Sequence, residues 1–279
     1  MRLAVKTQKA AVFPVKPVRF SIGKVALAAA SALFVLLLAL PLVALLLRSL
    51  ETRAWERATG SGIPEGLALS LFTTLATAGI TLLLGTPLAY VLARWQFPGK
   101  RAVNILIELP IVLPPAVAGL ALLVTFGRRG LLGPALASMG IALPFSTLAV
   151  VVAQTFISAP FYIRSAVVGF KGVEREIEEA AQVDGAEGFA LFRWITMPLA
   201  GRSLAAGLAL SWARALGEFG ATILFAGSLQ GRTQTMPLLV YNVLERDLNA
   251  AIWSGLLLVG MALAALLFSQ WIAHKTETE

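Results

Sequence analysis

The chain has 279 residues, of which 58% are hydrophobic and 14% are charged, and its formal net charge is +8. Soluble domains contain about 45–50% apolar and about 25% charged residues, so the composition excludes an ordinary soluble domain. It also excludes an intrinsically disordered chain, because such chains lack the apolar residues that this one has in excess. Lipid is therefore the predicted medium in which these side chains are buried.

Six apolar stretches are long enough to cross a bilayer, which takes roughly 20 residues in a helix. They cover 25–47, 67–93, 102–126, 145–170, 203–227 and 250–272. The polar pieces around them are shorter than the roughly 50 residues of a separate soluble domain. We therefore predict an all-α integral membrane protein with six transmembrane helices over 25–272, and with no catalytic or energy-coupling domain of its own.

The distribution of lysine and arginine predicts the orientation. With six spans both termini share one side of the membrane, and that side carries 14 basic residues against seven on the other. Cytoplasmic loops hold the excess of basic residues in membrane proteins. The tails over 1–24 and 273–279 are therefore expected in the cytoplasm, the first of them close to anionic membrane lipid. The net charge thus records topology and does not indicate a nucleic-acid partner.

The residues that most catalytic sites require are missing. The chain has no cysteine and a single histidine, His274, in the predicted C-terminal tail. It also lacks the glycine-rich loop ending in Gly-Lys-Ser/Thr that binds nucleotide phosphates. We expect no catalytic residue, no cofactor and no metal in this chain, so it does not hydrolyse ATP by itself.

Three prolines interrupt the third predicted span, at Pro110, Pro114 and Pro115. Each removes a backbone hydrogen bond and clashes with the preceding turn, so the helix is expected to kink or break there. Broken helices are tolerated at membrane depth only where protein or an aqueous cavity satisfies the freed carbonyls. The cluster is thus interpreted as part of a translocation pathway, with a packing kink as the alternative.

The fifth predicted span carries two charges near its middle, Arg214 and Glu218. Their spacing of four residues lets them neutralise each other on one helix face. Gly217 and Gly220 would let another helix approach closely. Two interpretations stay open: a polar patch that faces the pathway or a partner subunit, and an ion pair satisfied within the bundle.

The polar segment 171–202 holds six of the 15 acidic residues. Good helix formers over 174–183 are followed by Asp184 and Gly185, which predict a turn. A second short helix over 186–194 is expected to end ahead of Pro198. Two short helices that project from a membrane bundle indicate a docking site for another protein.

This segment resembles the EAA loop of permease subunits of bacterial ABC importers. The matching positions are Glu179, Ala180, Ala181, Gly185, Ile195 and Pro198, with Met197 in place of the usual leucine. The resemblance implies that the loop docks in a cleft of a separate ATP-binding subunit. The residues to which it gives an ATPase-coupling role are Glu179, Ala180, Ala181, Asp184, Gly185, Ile195 and Pro198.

A second resemblance indicates which kind of ABC importer permease this is. The segments 217–222, 225–227 and 231–238 are similar to the fifth span and following loop of molybdate permeases. Related sulfate permeases share the Gly-Glu-Phe-Gly part of this pattern, and tungstate importers share much of it. The resemblance implies ATP-driven import of a tetrahedral oxyanion, molybdate first, across a bacterial or archaeal cytoplasmic membrane.

The implied partners are two copies of an ATPase subunit carrying ATP and Mg²⁺, a second permease copy and an external oxyanion-binding protein. A homodimer is expected because the chain has one loop for two ATPase subunits, and a heterodimer is the alternative. An ion-coupled secondary transporter that uses Arg214 and Glu218 is the competing function. It would normally show internal repeats with paired broken helices, which the sequence does not display.

Overall fold

A computed structural model of the chain describes residues 22–58 and 62–275. Helices form all the regular structure in these ranges, which confirms the predicted all-α class. The chain divides into two units, the first ending at Leu47 and the second beginning at Arg48. The predicted tails lie outside the described residues, apart from 22–24 and the backbone of 273–275.

Helix α1 (Ile22–Thr52) forms the described part of the first unit and extends into the second. A short 3-10 helix follows at Ala54–Ala58. The remaining α-helices of the described residues are α2 (Ile63–Arg94), α3 (Lys100–Val112), α4 (Pro115–Phe126), α5 (Gly133–Ser138), α6 (Thr147–Gly172), α7 (Arg175–Val183), α8 (Gly188–Leu191), α9 (Met197–Leu199), α10 (Gly201–Leu216), α11 (Gly220–Phe225), α12 (Met236–Leu244) and α13 (Leu248–Lys275).

Four described helices are long and apolar enough to cross a membrane, and they match the first, second, fourth and sixth predicted spans. The third predicted span is broken as the prolines predict, since α3 and α4 meet at an angle of 118° and count together as a fifth candidate. The fifth predicted span, 203–227, is interrupted between Leu216 and Gly220, although its composition predicts one continuous helix. The count of six spans therefore stays a prediction.

Helices α2, α6 and α10 form the centre of the second unit. Thr77 donates a hydrogen bond to Gln154 and Thr86 pairs with Tyr162, so the residue offset between α2 and α6 stays near 77 and the two helices run parallel. Small and hydroxyl-bearing side chains allow such close packing, because they fill little space and bond across the interface. Trp212 of α10 extends the network by donating to the Thr74 hydroxyl at 3.0 Å.

Substitution of Gly85 tests this packing. A Cβ atom at Gly85 would lie 3.0 Å from the Tyr162 ring and 3.3 Å from Ile163, whereas a Cβ at Gly79 on the same helix meets nothing within 4 Å. Overpacking a close interface costs about 1–3 kcal/mol, so Gly85→Val should lower the thermal unfolding midpoint in detergent and Gly79→Val should change it much less. Equal effects of the two substitutions would contradict the packing described for α2 and α6.

Candidate functional site

The loop between α6 and α10 folds as a helical hairpin. Helix α7 occupies nearly all of the predicted 174–183, and the chain then turns at Asp184 and Gly185, where Gly185 takes a φ of 93°. That conformation strongly favours glycine. The second helical stretch differs from the expected 186–194, because it begins at Gly188 and continues past Pro198.

A widened turn explains why Pro198 does not end this stretch. The N–H of Met197 donates to the carbonyl of Phe192, five residues back, and the stretch 192–196 forms a π-helical turn. Pro198 then lies in the first turn of α9. A missing N–H is tolerated in the first turn of a helix, so the chain continues through α9 towards α10.

A buried ion pair fastens the hairpin to the membrane helices. Arg94, the last residue of α2, donates from Nη2 to Glu178 Oε1 at 2.8 Å, and the two side chains are only 11% and 12% exposed. The same carboxylate oxygen accepts the Thr196 hydroxyl at 2.6 Å. Arg94 also donates to the carbonyl of Val173 at 3.1 Å. Glu178 thus joins the end of α2, the start of the hairpin and its second helical stretch.

The predicted coupling residues lie around this anchor. Most of them are exposed, namely Glu179, Ala180, Asp184, Gly185 and Pro198, while Ala181 and Ile195 are half-buried. Three large apolar side chains of the hairpin are also exposed: Val183 at 88%, Phe189 at 77% and Trp194 at 67%. The hairpin therefore presents acidic and apolar groups together, a combination typical of a protein-docking surface.

The two broken spans pack against each other through α4 and α11. A Cβ atom at Gly220 would lie 2.6 Å from Cβ of Pro115, and one at Gly119 would lie 2.8 Å from the carbonyl oxygen of Ala221. Only glycine fits at these positions without a shift of the neighbouring atoms. Pro110 is buried within α3, whereas Pro114 and Pro115 are exposed at the break.

Glu218 closes the break between α10 and α11. Its side chain is 1% exposed, and Oε1 accepts the backbone N–H of Ala221 at 2.8 Å. Oε2 accepts from Nη2 of Arg214 at 2.9 Å, and Arg214 keeps 30% of its side chain exposed. The ion pair is therefore satisfied within the chain. Gly217 is exposed at the end of α10, and a Cβ there would meet only the Ala213 carbonyl, at 3.9 Å.

A hairpin fastened to membrane helices does not by itself identify a protein family, but comparison with known proteins does. Residues 85–276 match the model of the binding-protein-dependent transport system inner membrane component. The chain belongs to this family. It is an integral, multi-pass membrane permease of the ABC importer type, and the predicted membrane class and transport function are confirmed.

Two relatives illustrate the range of this family. The permease is 42% identical to the molybdenum transport system permease protein ModB of Mycobacterium bovis over 228 residues, which cover 82% of this chain and 86% of the relative. It is 36% identical to the sulfate transport system permease protein CysT of Synechocystis over 244 residues, covering 85% of each chain.

The fold of the permease is also found in a solved transporter. A chain in the crystal structure of a bacterial alginate ABC transporter, in complex with an alginate-bound periplasmic protein, superimposes with a TM-score of 0.69. The alignment covers 91% of this permease and 96% of that chain at 17% sequence identity. At this identity the likeness establishes the fold alone.

Removal of the Glu178 carboxylate tests the anchor. Glu178→Ala leaves the buried Arg94 guanidinium without its charge partner, which typically costs about 3–5 kcal/mol and should lower the thermal unfolding midpoint of the purified permease. Glu176→Ala, at an exposed position on the same helix, is the matched control and should have little effect.

The double variant Arg94→Met with Glu178→Leu removes both charges and should regain most of the lost stability, because no buried charge is left unpaired. If Glu178→Ala is no more destabilising than Glu176→Ala, the anchor does not hold the hairpin.

Proposed function

We propose that the permease imports a tetrahedral oxyanion, with molybdate as the first candidate, and that the hairpin at 175–199 couples transport to a separate ATPase subunit. The coupling proposal is supported mainly by the anchor, in which Glu178 ties one side of the hairpin to buried Arg94. The other side of the hairpin exposes acidic and apolar groups. Molybdenum and sulfate transport by the relatives support the anion class.

The exposed groups of the hairpin suit a cleft in an ATPase subunit. Glu179 and Val183 lie four residues apart on α7 and therefore share a helix face. Phe189 and Trp194 add apolar area from the second stretch. Burial of such apolar side chains in a partner's cleft supplies most of the association energy. Acidic groups at the rim of the interface set specificity and orientation.

ATP and Mg²⁺ would be held by the partner ATPase, since the permease brings no nucleotide-binding motif. Two ATPase subunits that close around ATP would each move one hairpin, so a dimer of permeases supplies the two hairpins required. We infer a homodimer, with a heterodimer of related permeases as the alternative. The movement would switch the paired permeases between inward-facing and outward-facing states as rigid bodies.

The anchor explains how the movement would reach the membrane. The hairpin is fixed to the end of α2 through Arg94, and its second stretch leads into α10 across Ala200. Helices α2 and α10 both pack against α6. A displacement of the hairpin is therefore delivered to two membrane helices that share one packing partner.

Both termini and the hairpin would lie in the cytoplasm. An external binding protein would deliver the anion to the other side of the membrane. Arg128 and Arg129 are exposed there and border a cavity of about 350 Å³ at the end of α4. Exposed arginines at an entrance raise the local concentration of anions. The binding protein would supply most of the selectivity, because an anion that must leave the path again is held weakly within it.

Charge reversal at Glu179 tests the coupling surface. Because Glu179 is exposed, Glu179→Lys should leave the thermal unfolding midpoint unchanged while it reduces co-purification of the ATPase subunit and ATP-driven uptake at least several-fold. Glu245→Lys, which reverses an exposed charge outside the hairpin, is the control. Undiminished co-purification and uptake with Glu179→Lys would remove the coupling role of this residue.

Uptake by the complete system identifies the anion. Proteoliposomes that contain the permease, its ATPase and its binding protein should accumulate radiolabelled molybdate when ATP is enclosed with the ATPase, and excess tungstate should compete more strongly than excess sulfate. Preferential uptake of sulfate would favour a sulfate permease, an alternative that the similarity to CysT supports. Uptake driven by a proton gradient without ATP would contradict the proposed importer.

A further inference from the structure

A second polar site lies between α3 and α6, and its lining includes neither the hairpin residues 175–199 nor the Arg214–Glu218 pair. It is a cavity of about 330 Å³, which we call the α3–α6 groove. Its polar lining consists of Asn104, Glu108, Arg164 and Lys171. The family assignment and the coupling proposal leave these four residues without a role.

Two charged groups of the groove, Arg164 and Glu108, are located inside their helices, whereas Lys171 lies one residue before the end of α6. Arg164 lies eight residues, about 12 Å, before the end of α6. Glu108 lies eight residues after the start of α3 and four residues, about 6 Å, before its end. Their side chains are 61% and 46% exposed. A charge open to hydrocarbon at such depth is costly, so the groove must face water or protein.

The break that follows α3 supports an aqueous surrounding. Pro110 has no N–H to give to the preceding turn, and Pro114 and Pro115 end the helix shortly after Glu108. The carbonyl groups that these prolines leave unbonded need partners, which at membrane depth come from protein or from a water-filled cavity. The exposed charges and the helix break thus both require polar partners, water or protein, beside the same part of α3.

The positive charges in the groove exceed the negative ones. Arg164 Nε stands 3.6 Å from Glu108 Oε1, longer than the roughly 2.7–2.9 Å of a strong charge-assisted hydrogen bond. Lys171 has no carboxylate within 4.0 Å among the described residues. One carboxylate therefore faces two cations, and neither cation is fully occupied.

The spacing of these residues along α3 and α6 places their side chains on the helix faces that line the groove. Arg164 and Lys171 are seven residues apart on α6, and Asn104 and Glu108 are four apart on α3, so each pair lies along one helix face. The groove thus offers guanidinium, ammonium and amide donors from two opposed walls. A guanidinium binds two oxygens of an oxyanion with two parallel hydrogen bonds, and the ammonium can add a third contact.

We propose that the α3–α6 groove is a cytoplasm-facing binding site for the transported tetrahedral oxyanion. Arg164 and Lys171 bind the anion, and Glu108 competes with it for Arg164. The competition keeps binding weak, which is what release requires of a site along a transport path. The assignment rests on the proposed function for its substrate class and on the predicted orientation for its side of the membrane.

Binding of radiolabelled molybdate to the permease–ATPase complex tests the site, with the external binding protein and nucleotide left out. The complex is placed in nanodiscs of neutral phosphatidylcholine. Arg164→Gln and Lys171→Gln should each weaken binding about tenfold or more, the usual worth of a charged hydrogen bond. Glu108→Gln should strengthen binding, because it removes the competitor. Arg101→Gln, at an exposed basic position of α3 outside the groove, is the charge-matched control.

The opposite signs expected for Arg164→Gln and Glu108→Gln separate an anion site from a structural latch between α3 and α6. A latch alone would make both variants less stable to a similar degree and leave molybdate binding unchanged, which would overturn the proposal. Failure of the wild-type complex to retain molybdate would overturn it as well.

A lipid phosphate has the same tetrahedral chemistry, so a second set of nanodiscs contains phosphatidylglycerol. Molybdate binding that persists there supports the transported anion. Loss of binding in the presence of phosphatidylglycerol would assign the groove to a lipid headgroup and overturn the proposal.

ATP-driven uptake distinguishes this inference from the proposed function. If wild-type proteoliposomes accumulate molybdate while the groove variants bind it as the wild type does, only the groove assignment fails. If the wild type accumulates no oxyanion, the proposed function itself fails.

Discussion

Hydrocarbon offers no hydrogen bonds to a broken helix, and this constraint governs the centre of the permease. The breaks after Val112 and Leu216 free backbone groups, and each such group costs several kcal/mol where it lies unsatisfied in hydrocarbon. The protein brings the two breaks together: α4 and α11 pack closely because Gly119 and Gly220 carry no Cβ. Glu218 then supplies the acceptor that Ala221 lacks. The helix that follows the first break, α4, thus packs against the helix that follows the second break, α11.

A second buried ion pair shapes the end of the second unit that carries the hairpin. Arg94 and Glu178 attract each other in a nearly water-free setting, and Thr196 satisfies the same carboxylate. Such a pair contributes little net stability relative to apolar residues, but it tolerates few alternative arrangements. Its effect on the permease is to define one position of the hairpin relative to α2. The proposed coupling role needs a defined position of the hairpin, because contacts that slide would not transmit a partner's movement.

The sequence predicted the features that depend on local chemistry. Proline spacing predicted the break between α3 and α4, and runs of good helix formers with a following Asp184-Gly185 pair predicted α7 and its turn. Motif resemblance predicted the family. These signals are read within a few residues of the chain, where propensity and backbone restrictions act directly.

The features that were missed depend on distant partners or on a competing backbone arrangement. Glu178 looks like any of the loop acids until Arg94, more than 80 positions earlier, is brought beside it. The spacing of Arg214 and Glu218 indicates an ion pair on a continuous helix equally well, and nothing local shows that Glu218 also caps Ala221. Pro198 was expected to end a helix, because the widened turn before it is not apparent from propensity.

The length of α2 gives the hairpin a mechanical consequence. This helix has 32 residues and spans about 48 Å, with Arg94 at one end of it. A rotation of only about 5° about that end displaces the other end by about 4 Å. If the hairpin moves as proposed, the length of α2 would turn a small rotation at Arg94 into a displacement of several ångströms at Ile63, the far end of the helix.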